Sequence, residues 1–243
     1  MKDFIRTLKE NLILEWTEPL FTVLIPVIGG VIGIIMTLFS MSMDGTGESY
    51  GKVGAFMVLV LGILFIFFTG IFSLPIDFNL AVSMGKTRKS YVPARFIILA
   101  LDVLAVILIF IIFNAAEEAL YTTLYPNAVC ELDVGKLLHN PALIAGTIFL
   151  LPTVNLLCGA LLMRFPTKFV WVLWAIWMIV FTGGPKMITA AEKKDSVFGQ
   201  LGAAILWLFQ GASPIKTAVA VVIITVMGMA VTMRLFSRQR VTL

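Results

Sequence analysis

The sequence predicts an all-α membrane protein with six transmembrane helices, and three observations carry that prediction. Apolar residues fill 60% of the 243 positions and charged residues only 13%, and the mean hydropathy is +1.01. A helix crossing the hydrocarbon core needs about 20 mainly apolar residues; runs near that length occupy 20–42, 53–74, 93–116, 141–163, 169–187 and 214–235. The basic residues then fall unevenly between alternate connections. Twelve of the 18 Lys and Arg lie before the first run (Lys2, Arg6, Lys9), in the second loop (Lys86, Arg88, Lys89, Arg95), in the fourth loop (Arg164, Lys168) and at the end of the chain (Arg234, Arg238, Arg240). Six lie in the other connections, which also hold eight acids. Lys and Arg near span ends mark the cytoplasmic side, so both termini are expected in the cytoplasm.

Each element has its own signal. Residues 1–17 form an amphipathic segment, with Phe4, Ile5, Leu8, Leu12 and Trp16 on one arc and Lys2, Asp3, Arg6, Lys9 and Glu10 on the other. Such a helix lies along the inner interface. The first apolar run is too long for a signal-peptide core, and no small-x-small site follows it promptly. Within that run Gly29 and Gly33 make a small-xxx-small pair after Pro26, which permits close helix approach. Pro152 in the fourth span and Gly183-Gly184-Pro185 after the fifth mark kinks or helix ends. Residues 197–215 carry no charge and are long enough for a seventh span. They are broken by Gly199, Gly202, Gly211 and Pro214, and a seventh crossing would send Arg234, Arg238 and Arg240 outside. A short re-entrant helix in the outer leaflet before the sixth span fits better, where protein covers its backbone. The loop 117–140 either seals an outer exit or connects helices; it is too short to bury a core of its own. The whole chain is read as one membrane domain.

Several function classes are excluded. The net charge of +4 comes from clusters at span ends, so no nucleic acid partner is expected. Cys158 lies in an apolar run and Cys130 in a polar loop, which argues against a disulfide. His139 is the only histidine, and there is no H-E-x-x-H or G-x-S-x-G. Gly85-Lys86-Thr87 fails as a phosphate loop, because Leu80 stands where the first glycine belongs and no βα unit surrounds it. Glu117-Glu118 resembles the start of the glutamate motif of intramembrane CAAX-type proteases, but Thr122 stands where those enzymes have arginine. The acid pair is read instead as capping a helix end in solvent. Asp102 is the one acid inside a span. A carboxylate there costs roughly 2.5–3.5 kcal/mol on insertion scales. It either lines a translocation route or pairs with an inner-face cation or a neighbouring helix. A single such acid and the absence of internal repeats argue against a secondary transporter or channel, which stands as the alternative.

The most informative stretch is 75–95, PIDFNLAVSMGKTRKSYVPAR, a basic cytoplasmic segment between two spans. With the interfacial helix, the six-span layout, the run Ser83-Met84-Gly85-Lys86-Thr87-Arg88-Lys89 and the short apolar segment before the sixth span, the chain resembles the membrane subunit of ABC-2 type transporters. That resemblance implies a coupling helix at 76–84 that docks on a separate ATP-binding subunit through Ile76, Asp77, Phe78, Asn79, Leu80, Ser83 and Met84. Gly85 then ends the helix. Lys86, Arg88, Lys89 and Arg95 serve as membrane anchor and topology signal. It further implies a permease pair, made with a second copy or a related chain, in the bacterial cytoplasmic membrane. No cofactor is expected in this chain; ATP and Mg belong to the partner. Small permeases of this layout are similar to exporters of drugs, lantibiotics and amphipathic peptide toxins, the phenol-soluble-modulin exporters among them. The resemblance thus implies the permease of an ATP-driven exporter of a hydrophobic or amphipathic substrate.

Overall fold

Hydrocarbon offers backbone groups no water, so long apolar runs close their hydrogen bonds inside helices. The computed structural model of the chain describes residues 17–44, 49–83, 85, 87–178 and 214–237. In order these form α1 (Thr17–Asp44), β1 (Ser49–Gly51), α2 (Val53–Ser83), α3 (Arg88–Leu124), β2 (Val129–Leu132), a 3-10 helix (Val134–His139), α4 (Pro141–Arg164), α5 (Pro166–Met178) and α6 (Pro214–Ser237). Among the described residues five helical stretches are long and apolar enough to cross a membrane: Thr17–Met43, Val53–Ser83, Ser90–Leu124, Pro141–Arg164 and Ala218–Ser237. The chain is therefore an all-α, multi-pass membrane protein by architecture. The fifth expected span begins as the 13-residue α5. Its remainder, the interfacial segment up to residue 16 and the re-entrant segment before α6 lie outside the described residues.

Two helices run further than the sequence suggested. α2 has 31 residues and α3 has 37, about 46 and 55 Å at helical rise, against a hydrocarbon core of about 30 Å. The coupling segment is thus no separate helix. Pro75 removes one backbone hydrogen bond but nothing after it ends the helix, which continues to Ser83. The stop is Gly85, whose φ of +80° suits glycine. Similarly, α3 continues through Ala116 to Leu124, so the loop 117–140 opens with two more helical turns. Beyond them β2 pairs in parallel with β1, matching Ser49 to Val129 and Tyr50 to Cys130. At α4 the start follows ordinary capping: the Asn140 side chain accepts from Leu143 N at 3.2 Å and Pro141 opens the helix.

The contacts fix which ends meet. Glu18 of α1 touches Arg95 of α3, which also reaches Ser73 and Asp77 of α2. Phe236 of α6 packs on Phe78 and Tyr91 with ring centroids 4.7 and 6.3 Å apart. The start of α1, the end of α2, the start of α3 and the end of α6 therefore share one end of the bundle. α4 and α6 run parallel, since Gly146 faces Val221 and Thr153 faces Gly228. The core joins α2, α3, α4 and α6 through Ile66, Leu74, Phe78, Leu99, Leu156 and Phe236. α1 lies against α2 with backbones in contact: a Cβ on Gly33 would stand 2.6 Å from Gly54 Cα. The small-residue pair in α1 is consumed inside the chain.

Candidate functional site

Residues three and four apart share a helix face, and the end of α2 divides accordingly. Ile76 and Leu80 are 70% and 45% exposed, and Ser83 continues the same face. Asn79 sits half-buried at its edge. Phe78, expected in the docking set, instead turns inward and is fully buried beneath Tyr91 and Phe236. Its ring is held there by core contacts with α3 and α6. Asp77 also turns inward, toward Arg95. The outward surface thus reduces to Ile76, Leu80 and Ser83 with Asn79 beside them; Met84 lies outside the described residues.

Arg95 departs most from expectation. As a membrane anchor its guanidinium would reach headgroups, yet its side chain is fully buried. Its Nη2 donates to Glu18 Oε1 and Oε2 at 2.9 and 2.7 Å and to Ser73 Oγ at 3.0 Å, with Asp77 Oδ2 at 3.5 Å. A charge removed from solvent persists only when paired and hydrogen-bonded, and these partners come from α1 and α2. Arg95 is a tie between three helices. Asp102 lies two turns further along α3, 6% exposed, within electrostatic reach of both Glu18 and Arg95. Two carboxylates, Glu18 and Asp77, therefore face this guanidinium directly. Lys86, and the side chains of Arg88 and Lys89, lie outside the described residues.

The opposite end carries a second polar cluster that the sequence reading placed differently. Glu117 is neither at the end of its helix nor in solvent. It is fully buried in α3, and its Oε1 and Oε2 accept from Gly54 N at 2.9 Å and Ala55 N at 2.7 Å, with Tyr121 OH donating at 3.0 Å. A carboxylate thereby satisfies the orphan amides at the start of α2, where the helix dipole favours negative charge. Glu118 points outward and takes Lys52 Nζ at 3.3 Å, while Asp133 Oδ1 takes it at 3.0 Å. Burial works against the Lys52 charge, but the hydrogen bonds it donates to Asp133 and Glu118 outweigh it and hold the ammonium above its ordinary value. The bond from Lys52 in turn keeps the Asp133 carboxyl below its usual range despite some loss of solvent. Lys52 counted in the sequence only as an outer-loop charge; its partners are 66 and 81 residues away.

In the middle of the bundle Asn155 of α4 is buried and donates through Nδ2 to Ile66 O at 3.1 Å. Among the described residues no group of three His, Cys, Asp or Glu side chains is placed to hold a metal ion. The chain thus offers two polar ties at the ends of α3, an exposed face on the projecting end of α2, and an apolar surface elsewhere. Compared with protein-family models, with curated proteins and with solved structures, the chain finds no match.

Proposed function

We propose that this chain is the membrane subunit of an ATP-driven exporter of a hydrophobic or amphipathic substrate, powered by a separate ATP-binding subunit docked at Ile76, Leu80 and Ser83. The resemblance of the 78–89 segment supplies the transporter class. The observation that carries the reading is the combination at the end of α2. The helix overshoots the hydrocarbon core, presents an exposed apolar face there, and is braced just above it by Arg95. Force applied to residues 76–83 would reach α1 and α3 through the ion pair rather than dissipate in a loop. ATP and Mg would bind the partner, and a second copy of the permease, or a related chain, would complete the pathway in a bacterial cytoplasmic membrane. The shared end of α1 and α6 supports an even number of crossings, and the parallel run of α4 and α6 supports α5 as the one crossing between them. Both termini would then be cytoplasmic.

Co-purification tests the reading. Ile76→Asp combined with Leu80→Asp should release a soluble ATPase that stays bound to the unaltered chain, while Leu137→Asp at the opposite end should retain it. The alternative is an ion-coupled transporter or channel that needs no ATPase, in which the buried Asp102 would be the titratable group. Transport by the purified chain in vesicles under an ion gradient alone, abolished by Asp102→Asn, would establish that reading and refute the first.

A further inference from the structure

A groove of about 460 Å³ opens between α4 and α6, floored by Phe96 of α3 and walled by Phe149, Val222, Val226, Met229 and Met233. Its volume lies within the roughly 300–1,000 Å³ of ligand pockets. From Val222 to Met233 it extends along α6 by about 17 Å, close to the roughly 15 Å depth of a single leaflet. Its mouth is basic. Val226, Ala230 and Arg234 follow one another at four-residue spacing, so the ridge lining the groove ends in an exposed arginine. Because α4 and α6 are parallel and in register, Arg164 at the end of α4 stands about one and a half turns beyond Arg234. Arg164 and Lys168 are both exposed.

We propose that this groove binds one acyl chain of an anionic phospholipid from the leaflet at the Arg164–Arg234 end, with the two arginines holding its phosphate. The lining is apolar apart from the Thr225 hydroxyl, which suits a chain and disfavours a polar ligand. A second copy of the protein is the poorer occupant. A two-fold axis normal to the membrane would bring Arg164, Lys168 and Arg234 level with the same cations of the copy, and like charges at an interface repel. The proposal rests on the packing of α3, α4 and α6 and is independent of the transporter reading.

The test uses the full chain in phospholipid nanodiscs containing a trace of phosphatidylglycerol or phosphatidylcholine with a photoreactive acyl chain. Peptide mass spectrometry then locates the labelled residues. Labelling should concentrate on Met229 and Met233 and favour phosphatidylglycerol by about fivefold per arginine engaged. Arg164→Gln with Arg234→Gln should erase the headgroup preference while leaving the chain in place. Ala230→Trp should exclude the chain, provided the variant elutes and melts as the parent does; should it not fold, the arginine pair still decides. Equal labelling of the exposed α1 ridge at Leu24, Ile28 and Ile35, or indifference to headgroup, would show ordinary annular lipid and overturn the proposal.

Discussion

Replacing Arg95 by methionine keeps the length and apolar stem of the side chain but strips the charge that Glu18 and Asp77 face. The guanidinium is fully buried, and its bonds to Glu18 are 2.9 and 2.7 Å long. Removing one member of such a pair costs about 3–5 kcal/mol, chiefly because the other charge stays buried without compensation. For a chain of this size that corresponds to a fall of roughly 6–20 °C in Tm, taking 2–4 °C per kcal/mol. Arg95→Lys preserves charge, but its shorter stem does not carry a nitrogen to where Nη2 meets both Glu18 oxygens and Ser73, so it should still cost about 1–3 kcal/mol. Glu18→Gln in the Arg95→Met background should recover part of the loss, a coupling of about 1 kcal/mol or more in a double-mutant cycle. The assay is thermal unfolding of the purified chain in detergent, followed by tryptophan fluorescence. If Arg95→Met and Arg95→Lys both melt with the parent, the guanidinium is solvated at the surface and the three-helix tie does not exist.

Two further outcomes follow from the opposite end. Glu117→Ala strands the Gly54 and Ala55 amides at the start of α2, and should destabilise by about 1–3 kcal/mol for each buried group left unpaired; Glu117→Gln, which still accepts, should cost less, and the same melting assay separates them. The Lys52–Asp133 pair gives a pH dependence whose sign is set by the directions of the two shifts. Asp133, depressed in the folded chain, stabilises fully above its unfolded value of about 3.9 and loses that contribution as the pH falls through its lower folded value. Lys52, raised, stabilises fully below about 10.4 and loses that contribution as the pH climbs through its higher folded value. Tm should therefore be flat between these limits as far as this pair is concerned, and Asp133→Asn should remove the acid limb that it contributes. A Tm that rises as the pH drops from 5 to 3 would contradict the assignment.

Periodicity and length made the spans legible, because hydrocarbon imposes the same rule on every crossing helix. Gly85 was legible for the same kind of reason: a turn at the end of an apolar helix requires a positive φ, and glycine is the residue that tolerates it. What the sequence hid was direction around the helix axis. In the 76–84 segment nothing local distinguishes Ile76, which faces out, from Phe78, which is buried against a ring 158 positions later in the chain. Arg95 was misplaced because a basic residue near a span end has two stable environments, headgroups or a buried acid, and the acid that decides lies 77 residues earlier. Glu117 posed the same problem in reverse. Its adjacency to Glu118 suggested a shared solvent role, yet consecutive residues on a helix point about 100° apart, and only one reached the amides of α2. Gly29 and Gly33 were read correctly as a close-approach seam, but the partner backbone proved to be the next helix.

The cap on α2 also has a temporal consequence. Gly54 and Ala55 are made 63 and 62 residues before the carboxylate that satisfies them, and Glu18 precedes Arg95 by 77. At about 5–20 residues per second, synthesis leaves the first two helices waiting roughly 3–15 s for partners on the third. During that interval the amides at one end of the α1–α2 hairpin and the acid at the other must be met by water or by the insertion machinery. Arrival of α3 resolves both ends together, so the three helices become a settled unit only when the third is threaded, and a ribosome stalled before residue 95 would leave a hairpin exposed to quality control.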